Sequence, residues 1–268
     1  MKAPFRADQV GSLLRPAQLI EARRRTAAGE LDAAALAEVE DRAIERIIAR
    51  QQAIGLRAVT DGELRRDNWM FDFLAGLQGT RVVLRPVAAG SSGETHAPIK
   101  ATEVAGKLGF GGHPMLGHFR FLRQHSSVTA KMTIPSPTML VTASRNWRDV
   151  VNRAAYTRIE DVYDDLARTY RNAIGAFYEA GCRYLQLDDV NMAYLCDASM
   201  RDKLRQRGDD PDVMLEQWVV MLNAAIADRP ADMTITTHVC RGNFRSTWFA
   251  QGGYEVIAEA LLARIDYD

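Results

Sequence analysis

Apolar residues recur along this chain in two alternating rhythms. Between residues 17 and 54, Leu36, Val39, Ala43, Ile44, Ile47 and Ile48 fall at helical spacing with a charged face between them, which predicts a long helical stretch. Asp32 stands where its periodic part needs an N-cap, and Gly55 where it must stop. The same spacing over 161–180 places Tyr163, Leu166, Tyr170, Ala173 and Phe177 on one inner face, with Gly181 as the terminator. Further helices are predicted over 211–228 and 253–264. Between them lie short apolar runs at 5–12, 57–63, 127–137, 184–190 and 233–240, each turning polar at or near its end. These read as strands. Residues 80–110 differ: RVVLRPV alternates, SSGETH reads as a loop and KATEVAGKLGF alternates again, which predicts an inserted β-hairpin.

Strands alternating with helices predict an α/β chain with a parallel sheet. Polarity shared by all the strand ends favours a (β/α)8 TIM barrel with one active mouth over an open sheet, whose ligand crevice sits at a single switch point. The length, 268 residues, suits one barrel domain. A closed barrel needs about eight strands, and only five precede the final stretch Ile265–Asp268, so the expectation is a single domain, 1–268, cut after about five to six β/α units.

Composition narrows the partners. Lys plus Arg number 34 and Asp plus Glu 34, so no basic excess points to nucleic acid or an anionic membrane. The N-terminus lacks the apolar core of a signal peptide, and no apolar run reaches the roughly 18 residues that cross a bilayer. Three cysteines, Cys182, Cys196 and Cys240, are too few for a disulfide framework and fit a reducing cytoplasm. No strand is followed by GxGxxG or a P-loop, which leaves a nucleotide-binding reading without support.

The chemistry concentrates at the strand ends. His238 and Cys240 lie at i and i+2, so on a strand both project to one face, an imidazole and a thiol forming half of a zinc-type site. The alternative is a structural histidine beside a buried cysteine. Asp188 and Asp189 are adjacent on their strand and point to opposite faces, so one faces the mouth. That carboxylate can hold an ammonium group, act as a base or ligate metal; otherwise it caps a helix or forms an ion pair. Glu63 ends the second strand and either holds a substrate amine or pairs with Arg65 or Arg66. Ser12, after Gly11, offers a hydroxyl and a backbone N–H to a carboxylate, or is only part of a turn. His113, His118 and His125 follow no metal-binding spacing and read as structural or solvated, His96 as a loop residue, Cys182 as buried.

Six segments in order carry a resemblance: DQVGS (8–12), DGELRRD (61–67), HPMLGHFRFL (113–122), KMTIPSPTML (131–140), YLQLDDVNMAYLCD (184–197) and THVCRGNFRSTWFAQGGYE (237–255). In them the chain resembles the catalytic barrel of the cobalamin-independent methionine synthase family, within the superfamily that also includes uroporphyrinogen decarboxylase. The resemblance implies a cytoplasmic, zinc-dependent S-methyltransferase that moves a methyl group, with 5-methyltetrahydrofolate as the expected donor, to the thiolate of homocysteine. It implies His238 and Cys240 as zinc ligands, Asp188 as the catalytic carboxylate that holds the substrate amine, Glu63 as its second partner, and Ser12 as part of the carboxylate clamp. The family's other two zinc ligands, a Glu and a Cys, are expected beyond Asp268. The alternatives are a decarboxylase-like enzyme without zinc and a non-catalytic thiol-binding fragment.

Overall fold

The computed structural model describes residues 3–85, 99–244 and 247–268. The expected first helical stretch is two helices, α1 (Ala17–Ala27) and α2 (Ala33–Ala53). Gly29, at φ +74°, breaks them apart, and the Asp32 carboxylate accepts from Ala35 N at 2.8 Å to start α2 afresh. After Gly55 the chain enters β1 (Ala58–Val59), then α3 (Phe71–Leu74) and an antiparallel hairpin, β2 (Gln78–Arg85) with β3 (Ile99–Gly109). The inserted hairpin is thus present; its connection, and with it His96, lies outside the described residues. Then follow α4 (Pro114–Gln124), β4 (Thr129–Pro135), α5 (Ile159–Glu179), β5 (Tyr184–Asp189), α6 (Asn191–Tyr194), α7 (Ala198–Gln206), α8 (Pro211–Ile226) and β6 (Thr234–Val239). A small pair, β7 (Asn243–Phe244) and β8 (Thr247–Trp248), precedes α9 (Glu255–Glu259).

The main sheet runs β1-β4-β5-β6 with every pairing parallel. Crossovers by α4, α5 and α8 make that direction obligatory, because parallel neighbours cannot be joined by a tight turn. Leu185 and Leu187 of β5 belong to the apolar core, together with Leu166, Tyr170 and Phe177 of α5 and Trp218 and Leu222 of α8. Tyr170 is fully buried and donates its hydroxyl proton to Pro135 O at 2.8 Å, tying α5 to the end of β4. Register sets Asp188 directly beside His238 across the β5–β6 ladder.

Two of the strand expectations are corrected. Residues 5–12 join no ladder: the chain bends at Arg6, Ala7 and Gly11, and Asp8 and Gln9 are held through their side chains. The 57–63 run pairs only over Ala58–Val59. Beyond it the Thr60 hydroxyl accepts from Gly62 N and the Asp61 carboxylate from Glu63 N, at 3.1 and 2.9 Å. Those local bonds fold the strand end into a turn. The three histidines 113, 118 and 125 lie on or beside α4: His113 caps its start through Nδ1, and His125 closes its end against Phe121 O.

Candidate active site

On β5 the residues Tyr184, Gln186 and Asp188 share one face, opposite the leucines. The N-terminal segment lies along that face two residues at a time. Asp8 accepts from the Tyr184 hydroxyl and from Lys131 Nζ (3.1 Å), and Val10 O accepts from Gln186 Nε2 (2.7 Å). On its other side the segment follows β1. Gln9 donates to Ala58 O at 3.1 Å, Gly11 O accepts from the Thr60 hydroxyl at 2.7 Å, and Leu13 N donates to Gly62 O at 3.0 Å. This brings Ser12 to the exposed rim above Asp188 and Glu63.

Gly11 permits the close approach. A Cβ there would stand 2.7 Å from Thr133 Cγ2 and 3.3 Å from Glu63 Oε1, at a φ of +149°. Gly11→Ala is expected to destabilise the chain by about 1–3 kcal/mol, as overpacking commonly does. A urea midpoint equal to that of the unaltered chain would show that the segment yields freely.

The result is a cavity of about 490 Å³ lined by Ser12, Glu63, Asp188, Asp189, His238 and Cys240, with Trp69, Met70, Met139, Tyr194 and Phe249 as its apolar wall. All five residues singled out from the sequence border this one space. Glu63 stands at φ +57°, a left-handed conformation that costs a non-glycine residue energy and recurs where side chains are held for function. Its Oε1 accepts from the Thr133 hydroxyl at 2.9 Å and from Arg66 Nη1 at 3.3 Å. Arg65 instead pairs with Glu40 and Asp41 on α2. Glu63 therefore pairs with Arg66, the alternative to an amine-binding role, and at the same time borders the cavity.

Both aspartates border the cavity, where alternation predicted one, but their side-chain partners differ. Asp189 accepts from the Thr138 hydroxyl (2.7 Å) and from Met192 N (2.9 Å), anchoring the start of α6. Asp188 accepts from Gln186 Nε2 at 2.6 Å. Burial raises the Asp188 carboxyl to about 7, against the pull of the Gln186 bond; Glu63 adds to the rise, while Arg66 and Lys131 oppose it. Burial also lowers His238, which favours its neutral imidazole. Cys240 sits just beyond β6, its N–H bonded to Asp189 O at 2.9 Å. Among the described residues no group of three or more His, Cys, Asp and Glu side chains is assembled to hold a metal. Cys196 is buried with its thiol turned to Met192 O, and Cys182 is fully buried.

With this geometry in view, residues 5–250 match the family described as cobalamin-independent synthase, catalytic domain. The chain belongs to that family. It is 44% identical over 268 residues to the uncharacterized protein YxjH of Bacillus subtilis, spanning all of this chain and 70% of that one. It is 25% identical over 246 residues to the 5-methyltetrahydropteroyltriglutamate–homocysteine methyltransferase of Mesorhizobium japonicum, covering 90% of this chain and 29% of that protein. The crystal structure of the putative vitamin-B12 independent methionine synthase from Listeria monocytogenes superposes with a TM-score of 0.78 at 36% identity, over 100% of this chain and 72% of that one.

The synthase-family cavity also uses residues that the sequence did not single out. Trp69 and Met70 follow the Glu63 turn, and Tyr194 and Phe249 meet with ring centroids 4.8 Å apart. Each lies in or beside a segment that carries the resemblance, but an isolated aromatic has no spacing that distinguishes a cavity wall from a core.

Proposed function

We propose that this chain carries the amino-acid half of a methyltransferase site that takes homocysteine, with zinc held at His238 and Cys240 and a methylated tetrahydrofolate as donor. What carries the reading is the convergence of Ser12, Glu63, Asp188, His238 and Cys240 on one cavity. The donor set fits the metal: an imidazole that burial keeps neutral and a thiol two positions away are nitrogen and sulfur ligands of the kind zinc takes. When bound, zinc would keep a substrate thiol as thiolate at neutral pH, where a free thiol near pKa ~8.5 is mostly protonated.

The chain's own residues do the rest. Asp188 and Glu63, at the floor, bind the ammonium group; its charge offsets the desolvation that raises Asp188. Ser12 at the rim receives the carboxylate. Trp69, Tyr194 and Phe249 flank the sulfur's approach with aromatic surface. The thiolate sulfur then forms a bond to the donor methyl carbon while the methyl–nitrogen bond breaks; the electron pair stays on the donor nitrogen, which takes up one proton, equal in number to the one the thiol gave up. The parallel four-stranded sheet is read as an arc of a barrel, within a single domain. The family match favours this reading over the decarboxylase alternative.

Metal titration tests the reading. The chain is expected to bind one equivalent of zinc with protection of the Cys240 thiol from alkylation, and Cys240→Ser to weaken that binding by roughly 100-fold or more. Unchanged zinc affinity in the variant removes Cys240 from the metal. Zinc binding without any binding of homocysteine would leave a metal site but no substrate site.

A further inference from the structure

The amino-acid clamp is assembled from distant parts of the chain, and one side chain joins them. Gln186 is 5% exposed and faces inward one tier below Asp188. A carboxamide buried there is costly unless its hydrogens are used. Nε2 uses both: it donates to Asp188 Oδ1 at 2.6 Å and to Val10 O at 2.7 Å. The first bond orients the carboxylate proposed for the substrate amine. The second fixes the backbone two residues before Ser12, proposed for the substrate carboxylate. The NH2 group is planar and its two hydrogens diverge at a fixed angle, so placing one bond constrains the other. Among the described residues no other side chain bonds the same two partners: Tyr184 and Lys131 hold Asp8 below, and Thr133 and Arg66 hold Glu63 across the cavity.

We infer that Gln186 is a positioning residue that sets the spacing between the ammonium and carboxylate subsites, and so makes the cavity selective for an α-amino acid over a thiol bearing only one of those groups. Gln186 is not among the residues that line this cavity; it lines the neighbouring one, with Asp8, Lys131 and Tyr184. The inference rests on the functional reading above.

Calorimetric binding to the full chain distinguishes the two. Three ligands are compared: L-homocysteine, 4-mercaptobutanoate, which lacks the amine, and 3-aminopropane-1-thiol, which lacks the carboxylate. Gln186→Met keeps the side-chain length without either hydrogen bond. It is expected to weaken homocysteine binding by roughly 10-fold or more, and binding of each single-group ligand by clearly less, because only the two-group ligand needs both subsites at a fixed separation. Equal weakening of all three would reveal a structural role only and overturn the inference, as would unchanged homocysteine affinity. If Gln186→Met does not fold, Gln186→Glu, of equal size and unable to make both donations when ionised, carries the same comparison. Failure of the unaltered chain to bind homocysteine overturns the functional reading itself, and this inference with it.

Discussion

Asp188→Asn is expected to weaken homocysteine binding by about 2–5 kcal/mol, since a desolvated ammonium loses its charged partner, while making the ligand-free chain more stable. The second effect follows from the direction of the Asp188 shift. Its carboxyl is raised from 3.8 to about 7 in the fold, so between those values the folded state holds a proton that the unfolded state has released. Stability from this group therefore falls as pH rises from about 4 to 7 and stays low above, a loss on the order of 3–4 kcal/mol. Asparagine has nothing to ionise, and its carbonyl oxygen can still accept from Gln186. In chelator, the advantage of the variant should be negligible near pH 4 and largest above pH 7. Denaturant melts at both ends of that range measure it. A variant less stable than the parent at pH 8, or equal affinity for homocysteine, would count against Asp188 as a desolvated amine-binding carboxylate.

Arg66→Met is expected to destabilise the fold by about 3–5 kcal/mol, the usual loss when one member of a buried ion pair is removed. Arg66 is 1% exposed and holds two groups at once, Glu63 Oε1 at 3.3 Å and Thr133 O at 2.6 Å. Without it Glu63 is a buried carboxylate in the company of Asp188, with the Thr133 hydroxyl the remaining side-chain donor to it among the described residues. The double variant Arg66→Met with Glu63→Gln should recover part of the loss, because the stranded charge is then gone. Equal midpoints for the single and double variants would mean that the loss comes from Thr133 O and packing, not from Glu63.

Much of this was legible in the residues themselves. Helical periodicity and terminating glycines placed α2, α5 and α8 to within a few positions, because those helices bury one apolar face against the sheet. The i, i+2 spacing of His238 and Cys240 anticipates that both border one cavity, although Cys240 stands just past the end of β6. What failed was local chemistry that competes with regular structure. Thr60 and Asp61 divert β1 into a turn, and Gly29 divides the first helix. The 5–12 segment has the look of a strand, yet Asp8 and Gln9 satisfy themselves through side chains rather than a ladder. The aromatic wall was invisible because it is gathered from three separate parts of the chain, and no single-sequence period links Trp69, Tyr194 and Phe249.

The bond from Gln186 to Val10 spans 176 residues of sequence, and the Tyr184–Asp8 bond spans the same distance. Closing so long a loop is entropically demanding, and such contacts form after local ones during folding. Helices α2 and α5 can be complete while the cavity still lacks its Ser12 wall. Recognition is thereby deferred: a nascent or partly denatured molecule would carry most of its helices and both aspartates yet have no means of gripping a ligand until its two distant parts have met.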